Sequence, residues 1–539
     1  SFNFNIPGVV DEIKMQIDFI AKMQTKGSLA IKRNGVSLTN GEKNILAFTG
    51  SDDWYYTAAK LTSLNYTFAS SGTETISLQF SGTEVKVARL DYIRLQMKRN
   101  LRLYNGVVKF RSLEANKSLV RYKLTTSTPT TVKIWDITET HNPKNIIASA
   151  TNNALSFTPE AIGCREYIAF DINSTFSEPT IIEEVANQNL HGLERADLVI
   201  ISPQQFYQQA KRLAEFHRDH DQLSSIIVRP ELIYNEFSSG KPDATAYRRF
   251  MKMFYDRAES SKDAPKYLLL MGDAFSDNRL ITYKNRRQED YLLCFPSKNS
   301  VSTTDSYVLE DYFGFLDDGE GSSHTTDKVD LGIGRIPAQT LSGVTAVVDK
   351  IIEYAENKEA GSWQNNIVVL ADDGDDISPN SHMRDAENIA SLVQRNNPSF
   401  MVKRIYWDDY PMVKLATGNS YPAVTAAINE QLQEGALIMN YSGHGSANLF
   451  SHEMAWKASD MAACTSARLP MWVTASCDIS PFDIGDGSIG EEAMMNPVGG
   501  AVALLTTTRT VYQSHNALIN KEFMKIILSR DAEGRRISI

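Results

Sequence analysis

The sequence predicts a mixed α/β protein: an antiparallel β-rich N-terminal region, then two tandem units, each a mainly parallel sheet with helices on both faces. Three observations predict this. Up to about residue 194 apolar residues alternate with polar ones, the period-two pattern of half-buried strands. Beyond that point short, continuous apolar runs alternate with segments of helical spacing, as in sheets covered on both sides. This second grammar then runs twice. The chain has 539 residues, and at roughly 150 residues per domain it has room for three to four. The expected divisions are 1–194 (one or two β domains), 195–358 and 359–539.

In the N-terminal region, Ile13, Met15, Ile17 and Phe19 alternate with Lys14, Gln16 and Asp18. Ile76, Leu78 and Phe80 repeat the pattern, as do Ile93, Leu95 and Met97. Asn105-Gly106 between two apolar segments predicts a hairpin. Ser-Gly-Thr-Glu occurs at 71–74 and again at 81–84, which reads as two similar turns. Leu198–Ile201 then opens the first α/β unit as a buried strand, followed by a helix through Phe206, Ala210, Leu213 and Phe216. A second buried strand covers Tyr267–Met271, the acidic Gly/Ser-rich stretch 317–327 reads as a loop, and Val344, Val347, Val348 and Ile351 mark a closing helix. The second unit starts with Ile367–Leu370 and a helix through Ile389, Leu392 and Val393. Strands at 436–439, 471–474 and 501–505 complete it.

Composition excludes several function classes. Hydrophobic residues at 42% and charged residues at 22% are ordinary for a globular chain and argue against global disorder. A net charge of -10 disfavours a nucleic-acid binder, which needs a basic face. No apolar run approaches the ~18 residues of a membrane span. No signal-peptide pattern follows Ser1, so any targeting segment is expected to have been removed or to lie outside this stretch. Four scattered cysteines (Cys164, Cys294, Cys464, Cys477) form no disulfide framework and no CxxC zinc pair.

Open parallel sheets bind ligands at the carboxyl ends of their strands. Two strands of the second unit deliver reactive side chains there. The first runs into Tyr441-Ser442-Gly443-His444-Gly445-Ser446 and the other into Ala475-Ser476-Cys477-Asp478. If the strands are neighbours, His444 and Cys477 meet although they are 33 positions apart. A thiolate is the nucleophile, and an adjacent imidazole generates it. The N–H groups of Gly445 and Cys477 are then candidate donors to an oxyanion. The competing reading is a buried cysteine beside a plain Gly-His-Gly turn. Cys164 and Cys294, in strand-like surroundings, and Cys464, in a helix-like segment, are expected to be inert, as are His452 and His515 in surface loops. No Gly-x-Ser-x-Gly elbow supports a serine nucleophile at Ser442 or Ser446.

Tyr-Ser-Gly-His-Gly-Ser at 441–446 with Thr-Ala-Ser-Cys-Asp at 474–478 resembles the gingipain-type cysteine peptidases of the caspase-like clan. Leu270-Met271-Gly272-Asp273, Leu331–Arg335 and Glu491-Glu492-Ala493 extend the resemblance from about Asp197 to Ile527. Arg89–Ile93, Ile134–Ile137 and Asn496–Ala501 with Thr506–Arg509 are similar, more narrowly, to the branch of signal peptidases that serve type IX secretion.

The resemblance implies two caspase-like subdomains, only the second catalytic, and no cofactor. It implies a cell-surface enzyme on the outer membrane of a Bacteroidota bacterium, with a PorV-like β-barrel, PorQ and PorZ as partners. It implies removal of C-terminal signal domains from secreted cargo and transfer of that cargo to anionic lipopolysaccharide, with further β domains beyond Ile539. The alternatives are a secreted general protease or a non-catalytic cargo scaffold. An acidic residue orienting His444 is implied at Asp372, with Asp373 as the alternative. The competing use of Asp372, Asp373, Asp375 and Asp376 is a calcium site, because clustered carboxylates are hard oxygen ligands. Ser446, Ser476, Thr507 and Arg509 are weaker candidates to line a substrate groove.

Overall fold

The computed structural model of the protein describes residues 1–22, 27–45, 59–82, 87–181, 184–281, 284–374, 380–416, 418–485, 487–531 and 534. These form two compact units, Ser1–Ala186 and Asn187–Ile539.

The N-terminal unit has two cores, each between antiparallel sheets. In the first, strand Glu12–Lys22 lies between Lys60–Ala69 and Val87–Gln96. Its inward residues Ile13, Met15 and Ile17 meet Leu29, Ile31 and Ile76 from the sheet opposite, so the period-two pattern becomes one buried face. Gly72 takes a φ of +89° in the turn before strand Thr73–Gly82, as its motif predicts. The second copy closes that strand with Ser81-Gly82, and Thr83 and Glu84 lie outside the described residues. The second core gathers Tyr122, Leu124, Ile134, Phe157 and Tyr167.

The expected hairpin is only partly realised. Asn105 and Gly106 adopt the positive φ of a two-residue turn, but a single bridge, Tyr104 to Val107, closes it. Strand Val107–Phe110 pairs with Tyr167–Asp171 instead, because its buried partners lie in the sheet rather than in the preceding segment.

The C-terminal unit holds two parallel sheets. The first runs in the order Ser225–Val228, Leu198–Ile201, Tyr267–Met271, Gly332–Ile336. The order in the second is Met401–Tyr406, Asn366–Ala371, Ile438–Ser442, Met471–Ala475, Ala503–Leu505. Helices cover both faces. Val368 and Leu370 pack on one side with Trp407, Val424 and Ile428. Ile367, Val369 and Ala371 pack on the other with Ala386, Ile389, Val393 and Met524. Burial on both faces explains the unbroken apolar runs.

The two sheets are tied together by polar contacts. Buried Lys350 donates to the carbonyls of Ala493 (3.1 Å) and Gly499 (3.2 Å). Ser276 N–H donates to the Asp483 carbonyl at 2.9 Å. Cys164 and Cys294 sit in irregular segments rather than in strands, whereas Cys464 caps the short helix Ala458–Ala463. Among the described residues no helix is long and apolar enough to cross a membrane.

Candidate active site

Strands Ile438–Ser442 and Met471–Ala475 are parallel neighbours whose last registered pair is Ser442 with Ala475. His444 and Cys477 each stand two residues beyond that pair, at the same carboxyl edge. The loops that carry them interlock. A Cβ built on Gly445 would fall 2.4 Å from Ser476 Oγ, 2.6 Å from Ile479 Cδ1 and 3.2 Å from the Cys477 carbonyl oxygen. One on Gly443 would fall 2.3 Å from Tyr441 Oη and 2.6 Å from Asp372 Cβ. These glycines therefore let the histidine loop lie against the cysteine loop and against Asp372. Their missing side chains are used inside the protein, not for the approach of a substrate.

Cys477 is half-buried in a turn completed by Asp478 at φ +52°, a left-handed conformation that Asp tolerates better than most residues. The Asp478 carboxylate accepts from Thr510 Oγ1 at 2.9 Å. Val511 faces the thiol with both main-chain groups, its N–H 3.5 Å and its carbonyl 3.7 Å from Sγ. Burial pushes the Cys477 thiol up, Asp478 adds to the effect, and the Val511 main chain opposes it. A neutral thiol at rest needs a base before it can attack.

The backbone of His444 is held on both sides. Its N–H donates to Asp372 Oδ2 at 3.0 Å, and its carbonyl accepts from Tyr441 Oη (2.6 Å) and Ser451 N–H (2.9 Å). The ring is packed by two further imidazoles, with His452 stacked on it at 4.6 Å and His382 edge-on at 4.8 Å. His452, expected as an inert surface residue, is exposed and lies against the site. Three short paired strands between Gly445 and Lys457 fold that segment back, bringing His452 onto His444. His382, in the first turn of helix Ser381–Asn396, carried no signal in the sequence.

Asp372, the expected orienter, meets His444 at its main chain. One carboxyl oxygen accepts the His444 main-chain N–H and the other accepts the Asp373 N–H at 3.1 Å. Burial first, then Asp373 and Glu453 nearby, raise this carboxyl to about 9 against the pull of the His444 N–H. Asp372 therefore braces the histidine loop through that main-chain bond. Asp373 accepts from Tyr421 Oη at 2.9 Å. Asp372, Asp373 and Glu453 bring carboxylate oxygens within 4.8 Å of one another, the one described cluster able to hold a metal ion. Glu453 was not foreseen, and Asp375 and Asp376 lie outside the described residues.

The weaker groove candidates separate. Ser476 is buried, with its Oγ facing Gly445, so its side chain does not front an open groove. Ser446 Oγ accepts from Asn448 N–H at 3.3 Å within its own turn. Thr507 and Arg509 do line a cleft. Thr507 Oγ1 donates to the Ser476 carbonyl at 2.6 Å. Arg509 is spent on Asp483 and on the Ser306 carbonyl at 2.8 Å.

Residues 191–538 match the model of peptidase family C25. The chain belongs to this family. Family C25 comprises cysteine peptidases, in keeping with a thiol at the sheet edge. Among solved structures, dimeric latent PorU from Porphyromonas gingivalis is similar at 27% identity and a TM-score of 0.58. That match covers 67% of this chain but 36% of PorU. The Arg-specific cysteine proteinase gingipain R is similar at 18% identity and a TM-score of 0.46, over 62% of this chain and 68% of its own. No curated protein sequence matches the chain. The C25 chain thus has the caspase-like fold of PorU.

The first sheet supplies an internal comparison within this C25 chain. There Met271 registers with Ile336, and the residues two positions beyond are Asp273 and Ala338. They occupy the places of His444 and Cys477 with neither an imidazole nor a thiol.

Proposed function

We propose that the protein is a cell-surface cysteine endopeptidase that removes C-terminal signal domains from cargo of a type IX secretion system. The observation that supports this reading most is the similarity to PorU, combined with an imidazole and a thiol on adjacent strand ends. Cys477 Sγ attacks the scissile carbonyl while its proton passes to His444. The tetrahedral oxyanion is met by the N–H groups of Gly445 and Cys477. On collapse the C–N bond breaks, His444 returns the proton to the departing amine, and a thioester remains on Cys477.

Water resolves the thioester to a carboxylate, or a primary amine resolves it to an amide. An amine is the better nucleophile when it is present locally and the site restricts water. This route transfers cargo to an amine of anionic lipopolysaccharide. A PorV-like barrel, PorQ and PorZ would hold enzyme and acceptor at the outer membrane, which raises their effective concentration.

The test uses purified enzyme and a cargo protein with its C-terminal domain, with and without a small primary amine. The expected products are truncated cargo and, with amine, cargo one amine heavier at its new C-terminus. Both should vanish in Cys477→Ala. Cleavage that persists in Cys477→Ala would overturn the mechanism, and hydrolysis alone at every amine concentration would remove the transfer step.

A further inference from the structure

A cavity of about 440 Å³ lies at the amino end of strand Met471–Ala475, the opposite end from Cys477. Tyr354, Trp363, Leu469 and Val498 supply its walls. The volume is that of a small-molecule site. Lys350, in helix Leu341–Ala355, also lines it, although the residue is only 4% exposed.

Two of the three ammonium protons of Lys350 go to the carbonyls of Ala493 and Gly499. Among the described residues the third proton has no acceptor, and no carboxylate forms an ion pair with Nζ. Burial lowers the ammonium to about 8, and the one titratable group opposing that is the Cys464 thiol. A buried charge without a counter-charge is costly. Glu353 and Glu359 line the cavity too, but both are exposed and neither acts on the ammonium. Lys358, also in the lining, is paired with Glu356. The Tyr354 hydroxyl is a second polar group with no protein partner among the described residues, and its ring stands edge-on to Trp363 at 6.3 Å. One uncompensated positive charge and one free hydroxyl match a monoanion with two acceptor oxygens. The Trp363, Leu469 and Val498 walls match an apolar body.

The same lysine is connected to the active site. Ala493 lies near the end of helix Ile489–Met495. The first two N–H groups of that helix, from Ile489 and Gly490, donate to the carbonyls of Ala447 (2.6 Å) and Ile479 (3.1 Å). Ala447 follows His444 in its loop and Ile479 follows Cys477 in the other. A shift at Ala493 therefore reaches both catalytic loops through one short helix.

We propose that this cavity binds a small monocarboxylate with an aromatic body, held by Lys350 and Tyr354, and that helix Ile489–Met495 relays its binding to the loops of His444 and Cys477.

The test uses the full chain with phenylacetate as the probe and phenylacetamide as its uncharged counterpart. Binding is read by saturation-transfer NMR. Coupling is read as the rate at which iodoacetamide alkylates Cys477, followed by peptide mapping. Phenylacetate should bind at least about tenfold more tightly than phenylacetamide and should change the Cys477 rate by at least about fivefold. Both effects should be lost in Lys350→Met. Because that change also removes the bonds to Ala493 and Gly499, Val498→Trp is the second variant. It fills the cavity mouth from a position that is 58% exposed, where the fold tolerates substitution. It should weaken phenylacetate by about tenfold and leave the Cys477 rate without ligand unchanged. Equal affinity for the two probes, no binding, indifference to both variants, or an unchanged Cys477 rate with phenylacetate bound would each overturn the proposal. Iodoacetamide reports on the thiol and not on cargo, so failure of the cargo-cleaving reading leaves this test intact.

Discussion

At the scale of single residues, Asp372 is the group whose titration says most about the site. An acid beside a catalytic histidine is ordinarily read as a charged partner for the ring, yet here both carboxyl oxygens are engaged by main-chain N–H groups. With its carboxyl raised from 3.8 to about 9, the folded chain keeps a proton that the unfolded chain releases near pH 4. The folded state binds more protons across that interval, so this group's effect is to lower stability as pH rises from about 4, with the full penalty reached above about 9. Asp372→Asn should therefore flatten the decline of urea midpoint between pH 5 and 9, and at pH 7 it should keep activity within about tenfold of wild type. An unchanged pH dependence would contradict this account. A chelator separates two states of the acidic cluster. With a divalent cation bound to Asp372, Asp373 and Glu453 it lowers the melting temperature, and with a shared proton it leaves it unchanged.

At the scale of elements, the site depends on how two loops dock beyond a shared strand register. Gly445→Ala places a methyl group 2.6 Å from Ile479 Cδ1 and 3.2 Å from the Cys477 carbonyl oxygen. It should cost about 1–3 kcal/mol in stability and more than about tenfold in kcat/KM, because His444 and Cys477 are displaced relative to each other. A variant with normal kinetics would show that the loops are not a positioning device. Much of this level was legible in the sequence. Runs such as Ile367–Leu370 and Met471–Thr474 are buried on both faces, so their composition alone announces central parallel strands. The edge strands Ser225–Val228 and Met401–Tyr406 were missed for the converse reason. They are paired on one side only, and Lys403 and Arg404 interrupt the apolar run of the second. His382 and His452 were illegible as partners of His444 because packing between elements brings the rings together, and no local pattern encodes that.

At the scale of the whole C-terminal unit, the two sheets are joined by buried polar tethers, and Arg509 belongs to these as well as to the cleft. Its guanidinium spans Asp483, which is 1% exposed, and the carbonyl of Ser306 on the other half. Arg509→Ala leaves a buried carboxylate without its counter-charge and should cost about 3–5 kcal/mol. Adding Asp483→Asn should recover part of that loss, since it removes the stranded charge. Urea unfolding of the two single variants and the double variant checks this, and a loss below about 1 kcal/mol in Arg509→Ala would show the tether to be dispensable. Two residues beyond its last registered pair the first sheet carries Asp273 and Ala338, where the second carries His444 and Cys477.

The central claim is that two adjacent strand ends convert one of four cysteines into a nucleophile served by His444. Two of the others are nearly inaccessible, Cys294 at 3% and Cys464 at 4% exposure, and burial pushes the Cys294 thiol up to about 12. The most direct measurement is treatment with a peptidyl acyloxymethyl ketone, followed by intact-mass analysis and peptide mapping. The account predicts one adduct per chain, located on Cys477, formed at least about a hundredfold more slowly in His444→Ala and absent in Cys477→Ala. Labelling of Cys164, Cys294 or Cys464 in preference to Cys477, or a rate indifferent to His444→Ala, would contradict it.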